Sequence, residues 1–179
     1  LGAAGARNVG IDLAVGKYLA FQDSDDEWKV DKLEKQLDKM KKEPQYKVVY
    51  TPYSIIKDGE CVRRIPALDR PVEELEGDLF ETLLRRNFIG ITILFEKEVI
   101  DKVGKFNPDL RAMEDWELVL RISREYSIGY VNESLVDVYS SKYGVNSNVK
   151  NLVRAQVYIY TKYLSGEKDK RKYLDGIEL

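Results

Sequence analysis

The chain is expected to form an α/β domain built on a mixed, mostly parallel sheet flanked by helices, and three features of the sequence carry that expectation. Tyr18-Leu19-Ala20-Phe21 is a short unbroken apolar run, the pattern of a strand covered on both faces in a sheet that has helices on each side. Around it the apolar residues recur at helical spacing, with Val9 and Leu13 before it and Val30, Leu33, Leu37 and Met40 after it. Beyond these, short apolar runs at 48–50, 91–95, 128–131 and 135–139 are separated by helical patterns and loops.

Residues 5–15 form the first expected helix, ended by Gly16. The strand 18–21 follows, and Asp23, Asp25, Asp26 and Glu27 stand at its carboxyl end. An amphipathic cover helix is expected from Val30 to about Lys42, with Lys and Glu on its outer face and a capping-box spacing, Asp31 and Glu34, at its start. Val48-Val49-Tyr50 and Ser54-Ile55-Ile56 are strand material around Pro52, and Lys57-Asp58-Gly59-Glu60 carries the Asp-Gly turn signal that joins 55–56 to Val62 in a hairpin. Residues 65–77, with Pro66 and Pro71, read as a loop, 79–84 as a short helix, 91–95 as a buried strand and 97–103 as a helical turn ended by Gly104. The loop FNPDLRAMED runs into a helical pattern through Trp116, Val119, Leu120 and Ser123. Strands at 128–131 and 135–139 and a helix at 149–164 complete the pattern, before a polar tail at 165–179. With no repeat and no linker, 1–164 is expected to be one domain.

Composition excludes several classes of function. A chain of 179 residues, 44% hydrophobic and 34% charged, suits one soluble domain with a real core. A net charge of −2 argues against a nucleic-acid binder, and the basic run 168–172 reads as a solvated terminus. The single cysteine, Cys61, excludes an intrachain disulfide, is a poor metal ligand without companions, and fits a reducing compartment such as the cytoplasm. No apolar run is long enough to span a bilayer and no signal peptide is present, so membrane contact would be peripheral or made by parts outside this chain. The absence of histidine excludes His-based triads, His zinc sites and imidazole proton shuttles, which leaves acid and base work to carboxylates. The chain opens on LGAAGARN, without methionine and at the entry to a helix, and is expected to be a fragment.

The acidic stretch FQDSDDEW admits two readings. Ser24 and Glu27 have capping-box spacing, and Asp near a helix start is favoured by the macrodipole. A cap uses only one or two of these groups, however, and the others still repel one another. In an open α/β sheet the carboxyl ends of the strands border the ligand crevice. A divalent cation with hard oxygen ligands, Mg²⁺ or Mn²⁺, would relieve the repulsion there, since Mg²⁺ is typically held by one or two carboxylates together with substrate phosphates.

The run GARNVGIDLAVGKYLAFQDSDDEWKVDKLEKQL resembles the central motif of the family 2 glycosyltransferases, in which an Ala-Arg-Asn helix leads into a strand ending in an Asp-x-Asp metal motif. A second stretch is similar to the family's acceptor-side segment: Asn87 to Phe95, Val103-Gly104-Lys105-Phe106, then Glu114-Asp115-Trp116-Glu117-Leu118 and Arg121. Together the two cover roughly residues 5–139. The resemblance implies a GT-A fold that moves a sugar from a nucleotide-diphosphate sugar donor to a saccharide or lipid-linked acceptor, with inversion and with Mg²⁺ or Mn²⁺, in the synthesis of envelope polysaccharide at the cytoplasmic face of the membrane. Carried over by position, Asp23 lies near the donor ribose, Asp25 binds the metal, Arg7 lies near the nucleotide, Asp115 is the general base, and Glu114 and Trp116 contact the acceptor.

Each role has a plainer alternative. Asp115 also suits the first turn of a helix as a dipole partner, Trp116 suits a core position, Arg7 a solvated helix surface, and Asp26 and Glu27 a cap or surface. Two departures from the family pattern stand out. The nucleotide-binding strand-helix-strand region that normally opens the domain has no trace here, so the chain is expected to be the carboxyl-terminal portion of a catalytic domain, inactive alone. The stretch VYSSKYGVNSN stands where an Arg-x-His pair and a serine-rich loop are usual, with Lys142 as its one cation. A nucleotidyltransferase would also use carboxylates and Mg²⁺ but needs a basic or glycine-rich triphosphate loop that the chain lacks. A non-catalytic carbohydrate- or partner-binding domain on the same fold is the alternative from another class.

Overall fold

The computed structural model describes residues 2–139 and 148–164. The expectations for the VYSSKYGVNSN stretch and for the tail 165–179 fall largely or wholly outside the described residues. In chain order the helices are α1 (Gly2–Leu13), α2 (Lys32–Lys42), α3 (Phe80–Arg85), α4 (Lys97–Val103), α5 (Glu114–Glu125) and α6 (Val149–Tyr163). The strands are β1 (Tyr18–Ala20), β2 (Asp26–Trp28), β3 (Val48–Tyr50), β4 (Tyr53–Lys57), β5 (Glu60–Ile65), β6 (Leu94–Glu96), β7 (Ile128–Tyr130) and β8 (Val136–Tyr139). The expected hairpin is present: Ile55 pairs with Arg63 and Lys57 with Glu60, and Asp58 and Gly59 both take positive φ, as a tight two-residue turn requires.

The strands form two four-stranded sheets, ordered β1-β6-β3-β7 and β2-β8-β4-β5. Both are mixed and flanked by helices, as expected, but the parallel share is lower than the sequence suggested. Only β3–β7 and β4–β8 run parallel, because β6 runs antiparallel to both β1 and β3 in the first sheet, while β4–β5 is a hairpin. The first sheet carries the core on both faces. Val48, Tyr50, Leu19 and Phe95 join the main cluster with α1, α3, α4, α5 and α6, while Val49 and Leu94 on the other face meet Met40 and Leu37 of α2. All three residues of β3 are fully enclosed.

Two expectations about helix starts are corrected. No helix begins at Ser24–Glu27: Asp26 and Glu27 lie in β2, which pairs antiparallel with β8, and helix α2 starts only at Lys32. At that start Asp31 holds the cap position but makes no capping hydrogen bond, its carboxylate turning instead to Lys35 at 2.7 Å. The inner face of α2 is also rotated from the expected apolar stripe. Val30 lies before the helix, and it and Leu33 are exposed, while Lys32, Gln36 and Met40 are buried. Hydrogen bonding accounts for the rotation, since the Gln36 amide donates to the carbonyls of Val49 (2.9 Å) and Thr92 (3.0 Å), and its own oxygen accepts from Lys32 Nζ (2.7 Å). The Lys32 ammonium also sits 4.2 Å from the centre of the Trp28 ring.

Burial pushes the Lys32 amine down from its ordinary value to about 7. Between that value and the ordinary value of 10.5 the unfolded chain holds a proton that the folded chain does not, so the residue's contribution to stability rises with pH across this window and is at its worst below it. Lys32→Met should remove that dependence. Thermal unfolding of wild type and variant at pH 7 and pH 9.5 should show the variant gaining relative to wild type at the lower pH; a difference independent of pH would mean that Lys32 is not held neutral.

Candidate active site

The site forms where α1, the loop after β1 and the start of α5 converge. Helix α1 buries Ala4 and Ile11 in the core, and Asn8 pins it to the loop after α4 by donating to the Phe106 carbonyl (2.9 Å) and accepting from the Phe106 amide (3.0 Å). Its neighbour Arg7 lies against the Phe106 ring and reaches two carboxylates, Asp23 Oδ1 at 2.5 Å and Glu114 Oε1 at 2.6 Å. Burial works against the guanidinium's charge, but the bonds to Asp23 and Glu114 outweigh it and hold its pKa above the ordinary value. Sequence reasoning assigned Arg7 to the nucleotide and Glu114 to the acceptor. The structure instead ties each to the other, with Glu114 only 8% exposed.

The acidic cluster separates into four different environments. Asp23 is engaged by Arg7, Glu27 accepts from the Tyr139 hydroxyl at 2.8 Å, and Asp26 is half-buried. Burial first, then the charges of Asp23 and Asp25, push the Asp26 carboxyl up to about 6. Asp25 is exposed and has no hydrogen-bond or ion-pair partner among the described residues. No group of three or more metal-ligating side chains occurs among the described residues, so protein ligands alone would not enclose an ion. One open carboxylate in an acidic loop that Arg7 compensates only at Asp23 does fit Mg²⁺ or Mn²⁺ shared with a diphosphate, which needs only one or two protein ligands.

Asp115 stands one residue beyond Glu114 in the first turn of α5. Burial, then the charge of Glu114, raise its pKa, and the Trp116 backbone amide and Arg7 oppose the rise only in part. Its Oδ2 accepts from Asn87 Nδ2 at 3.3 Å. The same Asn87 side chain accepts from the amides of Ile89 (3.2 Å) and Gly90 (3.1 Å), a local turn that holds Gly90 at φ 58°. A side chain at Gly90 would be strained at that φ, and its Cβ would stand 3.8 Å from the Tyr53 ring and 3.9 Å from Asp115 Oδ2. Asn87, Gly90 and Tyr53 thus surround Asp115. Sequence reasoning gave none of them a role, although the Asn-x-x-Gly spacing is a turn signal in its own right.

Trp116 is corrected: it is 5% exposed, donates from Nε1 to the Leu83 carbonyl at 2.7 Å and meets Tyr160 edge-on, so it belongs to the core and not to an acceptor surface. Glu117 was also passed over. Its buried carboxylate accepts from Arg121 (3.0 and 3.1 Å), Lys162 (2.8 Å) and the Tyr163 hydroxyl (3.0 Å), and the cations hold its pKa below the ordinary value despite burial. Arg121 donates in addition to the carbonyls of Val103, Gly104 and Lys105. The helix that carries Asp115 is thereby fixed to α6 on one side and to the end of α4 on the other. No helix among the described residues is long and apolar enough to cross a membrane.

Residues 1–104 match the family model for glycosyl transferase family 2, a span that includes Arg7, Asp23, Asp25 and Asn87 and stops short of Asp115. The chain is 31% identical over 162 residues to the putative teichuronic acid biosynthesis glycosyltransferase TuaG of Bacillus subtilis (strain 168), covering 89% of this chain and 61% of that protein. It is 31% identical over 132 residues to the UDP-Glc:alpha-D-GlcNAc-diphosphoundecaprenol beta-1,3-glucosyltransferase WfgD of Escherichia coli, covering 73% of this chain and 48% of WfgD. Its fold superposes on the crystal structure of S. aureus TarS 1-349 in complex with UDP-GlcNAc with a TM-score of 0.66 at 15% identity, over 96% of this chain and 50% of TarS 1-349. The chain thus spans about half to three fifths of the length of these proteins.

Removing Arg7 should leave Glu114 as a buried charge without its partner. Arg7→Met is expected to destabilise by about 3 kcal/mol, as broken buried pairs do, and adding Glu114→Leu should recover part of that loss. Urea denaturation of the two variants checks this, and equal losses in both would mean that the pair contributes through packing alone.

Proposed function

The chain belongs to glycosyl transferase family 2, and on that premise we propose that it forms the acceptor side and the metal-binding loop of an inverting transferase that moves a sugar from a nucleotide-diphosphate donor to an acceptor hydroxyl. The observation that supports the reading is Arg7, which joins Asp23 to Glu114 and so ties the loop that carries Asp25 to the helix start that carries Asp115. Asp25 is the carboxylate to hold Mg²⁺ or Mn²⁺, which when bound would neutralise charge building on the departing diphosphate. Asp23, fixed by Arg7, presents its remaining oxygen toward the donor. Asp115 accepts the proton of the acceptor hydroxyl as that oxygen attacks the anomeric carbon from the face opposite the diphosphate, and its raised pKa makes it a stronger base than a free aspartate. Asn87 keeps the Asp115 carboxylate oriented. One displacement with one base inverts the anomeric centre, whereas retention through a covalent intermediate would require a carboxylate nucleophile as well.

The relatives bear on the substrates. TarS has been crystallised with UDP-GlcNAc, and the name of WfgD specifies a diphosphoundecaprenol-linked sugar acceptor, which supports a nucleotide sugar as donor and a saccharide or lipid-linked acceptor here. Such an acceptor would place the work at the cytoplasmic face of a membrane.

In the full-length protein, Asp115→Asn should lower transfer by at least about 10²-fold, the usual scale of lost acid–base catalysis, with donor affinity and melting temperature little changed. Any residual activity should lose the acid limb of its pH profile, because wild-type transfer falls as pH drops through the pKa of the base. Asp25→Ala should abolish metal-dependent turnover while Glu27→Ala, which removes an exposed carboxylate that accepts from Tyr139, should be mild. Near-normal turnover by Asp115→Asn, or a greater loss from Glu27→Ala than from Asp25→Ala, would sink the assignment.

A further inference from the structure

Near Asp115 the β4–β5 hairpin and the end of α3 each contribute one arginine. Tyr53 pairs with Ile65 and Ile55 with Arg63, so Tyr53, Ile55 and Arg63 share one face of the hairpin, while Ser54 is buried on the other and bonded to Ser134. Tyr53 is the residue whose ring shares the Gly90 turn with the Asp115 carboxylate. Arg86 closes α3 and immediately precedes Asn87, which holds Asp115. The charges that act on the Tyr53 hydroxyl are those of Asp115, Arg86, Arg63 and Asp26. Arg63 and Arg86 are exposed and make no ion pair among the described residues, in contrast to Arg7, Arg70 and Arg121, which are each bound to a carboxylate. Arg63 also borders an open groove of about 500 Å³ whose other lining residues are Cys61, Val62, Arg64, Ala67, Leu68 and Asp69, so that exposed apolar side chains stand beside two guanidinium groups and one carboxylate.

We propose that Arg63 and Arg86 form an anion site on the acceptor side of Asp115, which receives the phosphate groups of an acceptor whose sugar is carried on a diphosphate. The proposal rests on the transferase reading above and names the substrate class of its second site. Two planar guanidinium forks suit the oxygens of a diphosphate, each able to donate two parallel hydrogen bonds. The donor's own diphosphate has its place at Asp25, at the end of β1, so the arginines are left to the other substrate. The groove beside Arg63 then accepts the start of the acceptor's apolar chain.

The test uses the full-length protein and its Arg63→Gln, Arg86→Gln and doubly substituted forms. Transfer is measured to GlcNAc on a diphosphoryl alkyl chain and to GlcNAc on a plain alkyl chain, with KM for the donor followed in parallel. Binding of the alkyl diphosphate alone is measured by calorimetry in EDTA without donor. The double variant should lose at least about tenfold in its preference for the diphosphoryl acceptor and bind the alkyl diphosphate at least about tenfold more weakly, the scale of a lost charge-assisted hydrogen bond. An unchanged preference, or alkyl diphosphate binding that is absent in wild type or equal in the double variant, overturns the proposal. A rise in donor KM alone also overturns it and assigns the arginines to the donor. Absence of transfer to either acceptor, with alkyl diphosphate binding still dependent on the two arginines, would remove the transferase reading and leave the anion site standing.

Discussion

The arrangement of the site depends on one guanidinium held between two carboxylates. Asp23 comes from the loop after β1 and Glu114 from the start of α5, segments that are 91 positions apart in the chain, and without a partner Glu114 would be an unpaired charge in a buried place and Asp23 a further negative charge in an already acidic loop. Arg7 removes both costs together and fixes a distance that neither loop could fix by packing. Its side chain reaches them because its own helix is anchored at the adjacent residue, Asn8, by two hydrogen bonds to Phe106. A lysine could not replace it equally, because a single ammonium lacks the fork that donates to two acceptors from fixed directions.

The second constraint acts on α5. Met113, just before that helix, takes φ 56°, a left-handed conformation that costs a methionine on the order of 1–3 kcal/mol and that persists only where the surroundings impose it. The surroundings here are the packing of Met113 against Leu110 and Ala112, and the Glu117 network that joins α5 to α6 and to the end of α4. Glu117 is one helical turn from Met113, and its backbone amide donates to the Met113 carbonyl at 3.0 Å, so the network begins where the strained residue ends. A helix fixed in this way presents Asp115 in one orientation, which the general-base role proposed for it requires.

Much of this was legible in the sequence, and what escaped did so for physical reasons. The hairpin, the helices at 97–103 and 149–163 and the enclosed strand 48–50 follow from turn chemistry and apolar pattern, which act locally. The capping signals before α2 held only in part: Asp31 does stand at the cap position, but its carboxylate is claimed by Lys35, and at the alternative Ser24 signal the backbone of Asp26 and Glu27 is claimed by β8. Its inner face was misread because Lys32 and Gln36 look like surface residues until the carbonyls of Val49 and Thr92 are in place to receive the Gln36 amide, whose oxygen in turn receives Lys32. Asp25 and Asp115 were singled out through motif resemblance. The partners that condition them, Arg7 with Glu114 and Asn87 with Asp115, depend on contacts across 107 and 28 positions, and no local pattern encodes those distances.

The acidic stretch is tolerable because its charges are not equivalent. Asp23 is neutralised by Arg7, Glu27 faces solvent with Tyr139 donating to it, and Asp26 lies in a half-buried position where its carboxyl is raised far enough to share a proton near pH 6. Asp26 is raised first by its burial and then by the charges of Asp23 and Asp25. A fold that needed these residues only for solubility would have no reason to pair one carboxylate, raise a second and leave a third without a partner within four positions. The cation proposed at Asp25 would find there one free carboxylate, a neighbour already paired with Arg7, and a residual negative field for a divalent ion to relieve.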